Sequence, residues 1–186
     1  MVLPQRSPIF IITGTPGAGK SSVASELVRR FPFGLHVPVD DLREWVVSGR
    51  ADPVPDWTEE TSRQFRLARL AAAEVTRIYA DAGLAVAIDD VITPSEARVL
   101  FEVPLSGYAI NKVLLRPSLE VALARNAGRT NKTFDTQALE QTIRRLHGWT
   151  SEAIFARAGW MIVDSTHLTL EQTVDEILSR VGEAGD

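Results

Sequence analysis

Residues 14 to 21 read Gly14-Thr15-Pro16-Gly17-Ala18-Gly19-Lys20-Ser21, the full G-x-x-x-x-G-K-[ST] spacing. Each residue type there has a chemical use. The glycines let successive backbone amides turn inward on phosphate oxygens, and the helix expected after them aims its positive end at the same point. Lys20 brings a mobile positive charge to the terminal phosphates, and the Ser21 hydroxyl is a hard oxygen ligand suited to Mg²⁺. The stretch, with Ser22 completing the first turn, is expected to bind a nucleoside triphosphate with its metal.

Carboxylates at two later points suggest what happens to the phosphate. In a parallel sheet, successive strand ends lie on one edge, so HVPVD (36 to 40) delivers Asp40 to the crevice that holds the phosphates. A carboxylate there can take the proton of an acceptor hydroxyl. Asp41 is expected to cap a helix beginning at Leu42, which leaves Asp40 to face the cleft; the alternative is that Asp40 caps or pairs with Arg43. A second pair, Asp89-Asp90, closes the apolar run LAVAI (84 to 88). An apolar strand ending in Asp is how phosphate-loop enzymes hold Mg²⁺ through its hydration shell, so Asp89 is the expected partner of Ser21. Asp90 is left to face the substrate, stabilise the loop or exchange roles with Asp89. With Asp40, residues Arg43, Asp90 and Trp57 are the candidates for contact with an acceptor. Trp45 and Trp57 flank the Pro-rich connector ADPVPDW (51 to 57), where either can stack on a ring, although Trp is more often buried in a core or interface.

A basic stretch completes the candidate site. Between Arg116 and Arg145 six basic residues face three acidic ones, in a chain whose formal net charge is -4. Arg125 ends the helical run SLEVALAR, and Arg129 lies in the polar loop that follows. A lid over about residues 125–135 would close these arginines on the migrating phosphoryl group and exclude water. Arg144 and Arg145 are expected on a solvated helix face.

These residues need a scaffold, and the apolar pattern supplies one. Strand-like runs at 9 to 12, 36 to 39, 84 to 88, 109 to 116 and 160 to 163 alternate with helical stretches, which predicts an α/β fold with a five-stranded parallel sheet. Thr93-Pro94-Ser95-Glu96 reads as a capping box, and Asp41-Leu42-Arg43-Glu44 as a similar one. Phe65, Ala68, Ala72, Val75 and Tyr79 predict a helix over about 58 to 82 with one stripe against the sheet. No linker or repeat divides the 186 residues, so one domain is expected over 1–186.

Composition narrows the function classes. With no Cys, disulfides, thiolate metal sites and Cys nucleophiles are excluded, and His36, His147 and His167 follow no ligand spacing. Any metal is therefore expected on oxygen ligands. The acidic balance argues against a nucleic-acid partner. The absence of a signal layout or a long apolar run argues for a soluble, cytoplasmic monomer or homodimer with no membrane partner.

Taken together, Gly14 to Ser21, VPVDDL (37 to 42), AVAIDDVI (85 to 92) and IVDSTH (162 to 167) make the chain resemble the chloramphenicol phosphotransferase-like P-loop small-molecule kinases over nearly its whole length. The resemblance implies a three-layer nucleotide-kinase type of fold with an arginine-bearing lid. It also implies Asp40 as the base that activates an acceptor hydroxyl. The chain departs from that family at Thr15-Pro16 and in the segment WVVSGRADPVPDW (45 to 57), so the reaction type carries over while the acceptor stays open. Antibiotics, nucleosides and sugars are all candidates. Similar frameworks occur in polynucleotide 5′-hydroxyl kinases, gluconate and shikimate kinases, and toxins that phosphorylate nucleotide sugars.

The expected activity is transfer of the γ-phosphate of ATP to the hydroxyl of a small molecule. Two other classes compete. A GTPase switch needs a guanine-reading NKxD, and the nearest matches, Asn131-Lys132-Thr133-Phe134 and Asn111-Lys112-Val113-Leu114, lack the Asp. A non-catalytic nucleotide-binding regulator would leave the downstream carboxylates idle.

Overall fold

A computed structural model describes residues 7–53, 56–127 and 136–183 of the chain. Five strands, β1 (Ile9–Thr13), β2 (Gly34–Pro38), β3 (Ala85–Asp89), β4 (Ile110–Leu115) and β5 (Met161–Val163), form one sheet in the order β2-β3-β1-β4-β5. Every pairing is parallel, with β1 at the centre between β3 and β4. All-parallel pairing requires a crossover between neighbours, and the helices supply it.

Alternation along the strands builds the core on both faces. Ile9, Ile11, Val86, Ile88 and Leu114 point to one face, where they meet Ala68, Ala72 and Ala73 of α3 (Glu59–Asp81) and Phe101 beyond α4 (Pro94–Ala97). Phe10, Ile12, Ala87, Val113 and Leu115 point to the other and meet Val23, Ala24 and Leu27 of α1 (Lys20–Val28) and Val174 and Ile177 of α8 (Leu170–Glu183). The result is three layers, helix on sheet on helix, because each strand is buried on both sides. The remaining helices are α2 (Val39–Glu44), α5 (Leu119–Ala127), α6 (Thr136–Trp149) and α7 (Glu152–Arg157), with a wide π-type turn over Arg98–Glu102 continuing α4.

The long helix starts as its sequence predicts. Thr58 caps it with a reciprocal bond to Thr61, and Glu59 and Glu60 sit in its positive first turn. Its buried stripe runs through Phe65, Ala68, Arg69, Ala72, Thr76 and Ala80. Tyr79, expected on that stripe, is 42% exposed, since spacings of four carry the buried line past it to Ala80. Thr93 and Glu96 form the expected capping box with Pro94 at the first position of α4.

Helix α2 differs from expectation. It begins at Val39 with Pro38 before it and no side-chain cap, three residues earlier than the Leu42 start read from the sequence. Asp41 therefore does not cap; Asp40 and Asp41 both lie inside the first turn, where two carboxylates suit the positive helix end and remove the need for a cap oxygen. Among the described residues, no helix is long and apolar enough to cross a membrane.

Ile11 is fully buried in the central strand, so Ile11→Ala is expected to cost about 3 kcal/mol of stability through lost transfer energy and the cavity left behind. Urea unfolding should show a lowered midpoint at an unchanged slope.

Candidate active site

The loop after β1 is shaped by close approach. Gly17 has φ +83°, and a Cβ there would lie 2.1 Å from the Ala122 carbonyl oxygen of α5; one at Gly14 would lie 2.5 Å from that of Leu115. Only glycine lets the loop sit so tightly against its neighbours. Gly19, Ala18, Thr15 and Pro16 complete the loop, and Ala18 N–H donates to the Thr15 carbonyl at 3.0 Å. Helix α1 has no side-chain cap and no acid in its first turn, which contains Lys20, Ser21 and Ser22. Its leading amides are thus turned to the sheet edge without a capping side chain, the arrangement that binds an anion. Lys20 Nζ donates to the Thr15 carbonyl at 3.3 Å across the loop mouth. Arg125 Nη2 donates to the Ser165 carbonyl at 3.1 Å, and its Nη1 lies 4.0 Å from where a Gly19 Cβ would be. Arg125 thus stands beside the loop. Arg129 and most of the expected lid lie outside the described residues.

Both acids of the second pair lie at the end of β3. Asp89 Oδ1 accepts from Ser21 Oγ at 3.4 Å, and its Oδ2 meets His36 Nε2 of β2. The parallel register explains the meeting: Pro38 pairs with Asp89, so His36 sits one strand over and two residues back on the same face. Ser21 and Asp89 offer oxygen ligands, which fit Mg²⁺. Among the described residues no group of three or more His, Cys, Asp or Glu forms a protein-built metal cage. One hydroxyl and one carboxylate would suffice where phosphates and water supply the remaining oxygen ligands.

Asp90 turns the other way. Its Oδ2 accepts from Arg69 Nε at 2.6 Å and its Oδ1 from the Val91 amide at 2.7 Å. Arg69 also donates from Nη1 to Glu96 at 2.9 Å and from Nη2 to the Val91 carbonyl at 2.9 Å. This cluster, buried at Arg69 and Asp90 and open to solvent at Glu96, pins α3 to the turn that follows β3. Burial pushes the Asp90 pKa up, against the pull of Arg69. Burial also acts to raise Glu96, but the Thr93 hydroxyl and Arg69 hold it below the ordinary range.

Asp40 is 53% exposed at its side chain and faces Arg43, one turn along α2, with Oδ1 3.7 Å from Nη1. The Asp40 charge is felt at Asp90, whereas Asp41 feels Asp89 and His36; burial, then Glu44 and Asp89, raise the Asp41 pKa. The Arg43 guanidinium is buried, 3.8 Å over the Phe65 ring, and Nη2 donates to the Ala51 carbonyl at 2.9 Å. Burial lowers its pKa. Trp57 stacks on Phe65 at 4.9 Å between centroids and donates from Nε1 to Ser62 at 2.6 Å. Beside this stack lies a groove of about 420 Å³ lined by Trp57, Phe65, Arg66, Arg69, Glu96 and Leu100, among others.

Neither tryptophan lies in the core of the chain: Trp45 is 74% exposed, and Trp57 is 56% exposed with one face at the groove. Arg144 pairs with Glu140 on an exposed helix face, as expected. Three residues of the site escaped sequence reading: His36, Arg69 and Glu96. Arg69 carried a signal, since it is a charge in the apolar line of α3 and a buried charge demands an acidic partner. His36 carried one only through strand register, which sequence does not display.

Comparison with known proteins identifies the family and the fold. Residues 9–153 match the family AAA_33, described as an AAA domain. A UPF0200 protein of Aeropyrum pernix is 32% identical over 94 residues, which span 50% of this chain and 50% of that protein's length. The shikimate kinase of Acinetobacter baumannii, solved with shikimate, superposes with TM-score 0.67 at 17% identity, covering 97% of this chain and 96% of that one. The tunicamycin resistance protein of Deinococcus radiodurans does so with TM-score 0.64 at 18% identity, over 95% and 96%. At such identity the likeness establishes the fold, a P-loop kinase-like α/β fold with a five-stranded parallel sheet.

Removing the charge of Asp90 leaves Arg69 buried with one acid fewer. Asp90→Asn is expected to cost about 3 kcal/mol, at the lower end for a broken buried pair because Glu96 remains. Thermal or urea unfolding reads the loss; a variant as stable as wild type would show that the cluster contributes little.

Proposed function

The chain belongs to the AAA_33 family of AAA domains, and on that footing we propose that it is an ATP-dependent phosphotransferase that moves the γ-phosphoryl group to a hydroxyl of a small molecule. The carrying observation is that Ser21 and Asp89 meet across the uncapped end of α1, while Asp40 follows β2 at the same sheet edge and pairs with Arg43 over the Phe65 ring.

The chain's residues divide the work. The loop amides and Lys20 hold the phosphates and meet the charge that builds on the migrating group, with Arg125 and Arg129 assigned to the same task from the lid side. Ser21 and Asp89 would hold Mg²⁺, partly through water, and the ion when bound would add positive charge against the phosphate oxygens. Asp40 accepts the proton of the acceptor hydroxyl as that oxygen bonds to the γ-phosphorus and the bond to the ADP oxygen breaks; the proton later passes to solvent. Arg43 keeps the Asp40 carboxylate from swinging away. Trp57 and the loop held by Asp90 border the space for the acceptor. The co-substrate is ATP on this reading, and the acceptor is an antibiotic, nucleoside, sugar or related compound. The names of the fold relatives, a shikimate kinase and a tunicamycin resistance protein, support small hydroxyl compounds as the class.

ADP release from ATP-Mg²⁺, measured against a panel of hydroxylated compounds, tests this reading. Asp40→Asn is expected to cut transfer by about 10²- to 10⁴-fold, the usual contribution of a general base, while nucleotide affinity stays within about twofold. Lys20→Ala should instead weaken nucleotide binding. Transfer by Asp40→Asn at the wild-type rate would remove Asp40 from the mechanism. Tight nucleotide binding with no stimulation by any compound would favour a regulatory nucleotide-binding protein.

A further inference from the structure

Arg69 lines the groove yet is 95% enclosed, being 5% exposed, and every side of its guanidinium is answered from within the protein. Nε goes to Asp90, Nη1 to Glu96 and Nη2 to the Val91 carbonyl. An arginine at the wall of a small-molecule groove is the natural clamp for a carboxylate, because its planar fork matches two carboxylate oxygens. Here two carboxylates of the chain already occupy that fork.

The other charges around the groove do not restore an anion site. Arg66 is exposed at the rim, where its charge is screened as that of the 45% exposed Glu96 side chain is in part, and Arg43 is turned to Asp40, the Ala51 carbonyl and the Phe65 face, with its buried Nε unpartnered. Asp40 adds negative charge from the side of the phosphates. The rest of the lining is Trp57, Phe65, Val99 and Leu100, which offer apolar surface, with the uncharged hydroxyls of Ser62 and Ser95 between them.

We propose that Glu96 is a specificity-determining residue: by masking Arg69 it makes the groove take uncharged hydroxyl compounds and refuse carboxylates. The proposal rests on the reading that this groove receives the phosphate acceptor.

Glu96 divides its two oxygens between two duties. Oε1 takes Arg69, whereas Oε2 takes the Thr93 amide and hydroxyl that begin α4. Glutamine serves in a capping box as glutamate does. Glu96→Gln therefore removes the mask's charge and keeps the helix start.

Calorimetric titration with shikimate and with its uncharged methyl ester, in the absence of nucleotide, tests the proposal. Wild type is expected to bind the ester at least about tenfold more tightly than the acid, since rejection of a like-charged ligand acts through an unfavourable contact. In Glu96→Gln the acid should gain about tenfold, the ester should change little, and the gain should shrink at high salt. Wild type binding the acid as tightly as the ester would overturn the proposal without recourse to any variant, as would a folded Glu96→Gln protein with no gain for the acid. Binding without nucleotide separates this result from the kinase reading. A gain for the acid in the variant, with no ADP release from any acceptor, would uphold the mask and remove the phosphotransferase assignment.

Discussion

Five parallel strands must all end on one edge of their sheet, and the site is a consequence of that constraint. β1 ends in the phosphate loop, β2 in Asp40 and Asp41, and β3 in Asp89 and Asp90, while the turn after β5 reaches Arg125 through the Ser165 carbonyl. No loop has to travel to bring these groups together. Placing β1 between β3 and β4 sets the phosphate loop in the middle of the edge, with acids to one side and Arg125 to the other. Thr13 fastens the arrangement: its hydroxyl donates to the Ile92 carbonyl and accepts from the Ile92 amide, both at 3.1 Å. That pair of bonds locks the loop after β3 to the strand that opens into the phosphate loop.

Neighbouring acids part company for geometric reasons. Consecutive residues of a helix are turned by about 100°, and consecutive residues leaving a strand face opposite sides of the sheet. Asp89 accordingly meets His36 and Ser21, whereas on the groove side Asp90 meets Arg69 and Asp40 meets Arg43. Each acid on the groove side meets a buried guanidinium, and each guanidinium is tied in turn to a backbone carbonyl, at Ala51 or Val91. Phe65 lies beneath both, at 3.8 Å from Arg43 and 5.3 Å from Arg69. One aromatic ring on α3 thus organises the two arginines that border the acceptor side.

The sheet was legible in the sequence because both of its periods are local: apolar runs of strand length, and stripes of three and four residues on the helices between them. The phosphate loop was legible because its spacing leaves little alternative. The start of α2 was not, since Asp41 followed by Leu42 reads as a cap equally well, and only the packing of Val39 into the core moves the helix start back. Of the two roles that size and apolarity suggest for Trp45, core and interface, its position at the end of α2 removes the first by carrying it off the core face. Contacts across long stretches of chain, such as His36 with Asp89 and Arg69 with Asp90, depend on strand register and helix azimuth. A sequence states neither, although a charge inside an apolar stripe announces that some partner must exist.

Burying Arg69 costs several kcal/mol of desolvation, and an apolar residue of similar size would fill the space as well. What the charge adds is direction. A leucine at this position would hold α3 against the sheet but could not fix the Asp90 carboxylate, the Val91 carbonyl and the Glu96 side chain at once. Those three groups define the turn between β3 and α4, and that turn carries Asp89 to Ser21 at one end and forms the groove wall at the other. The cluster therefore couples the geometry of the phosphate side to that of the acceptor side. Two groups that must meet within bonding distance during transfer need such a common reference, because a displacement of about 1 Å between reacting atoms costs on the order of 10²-fold in rate.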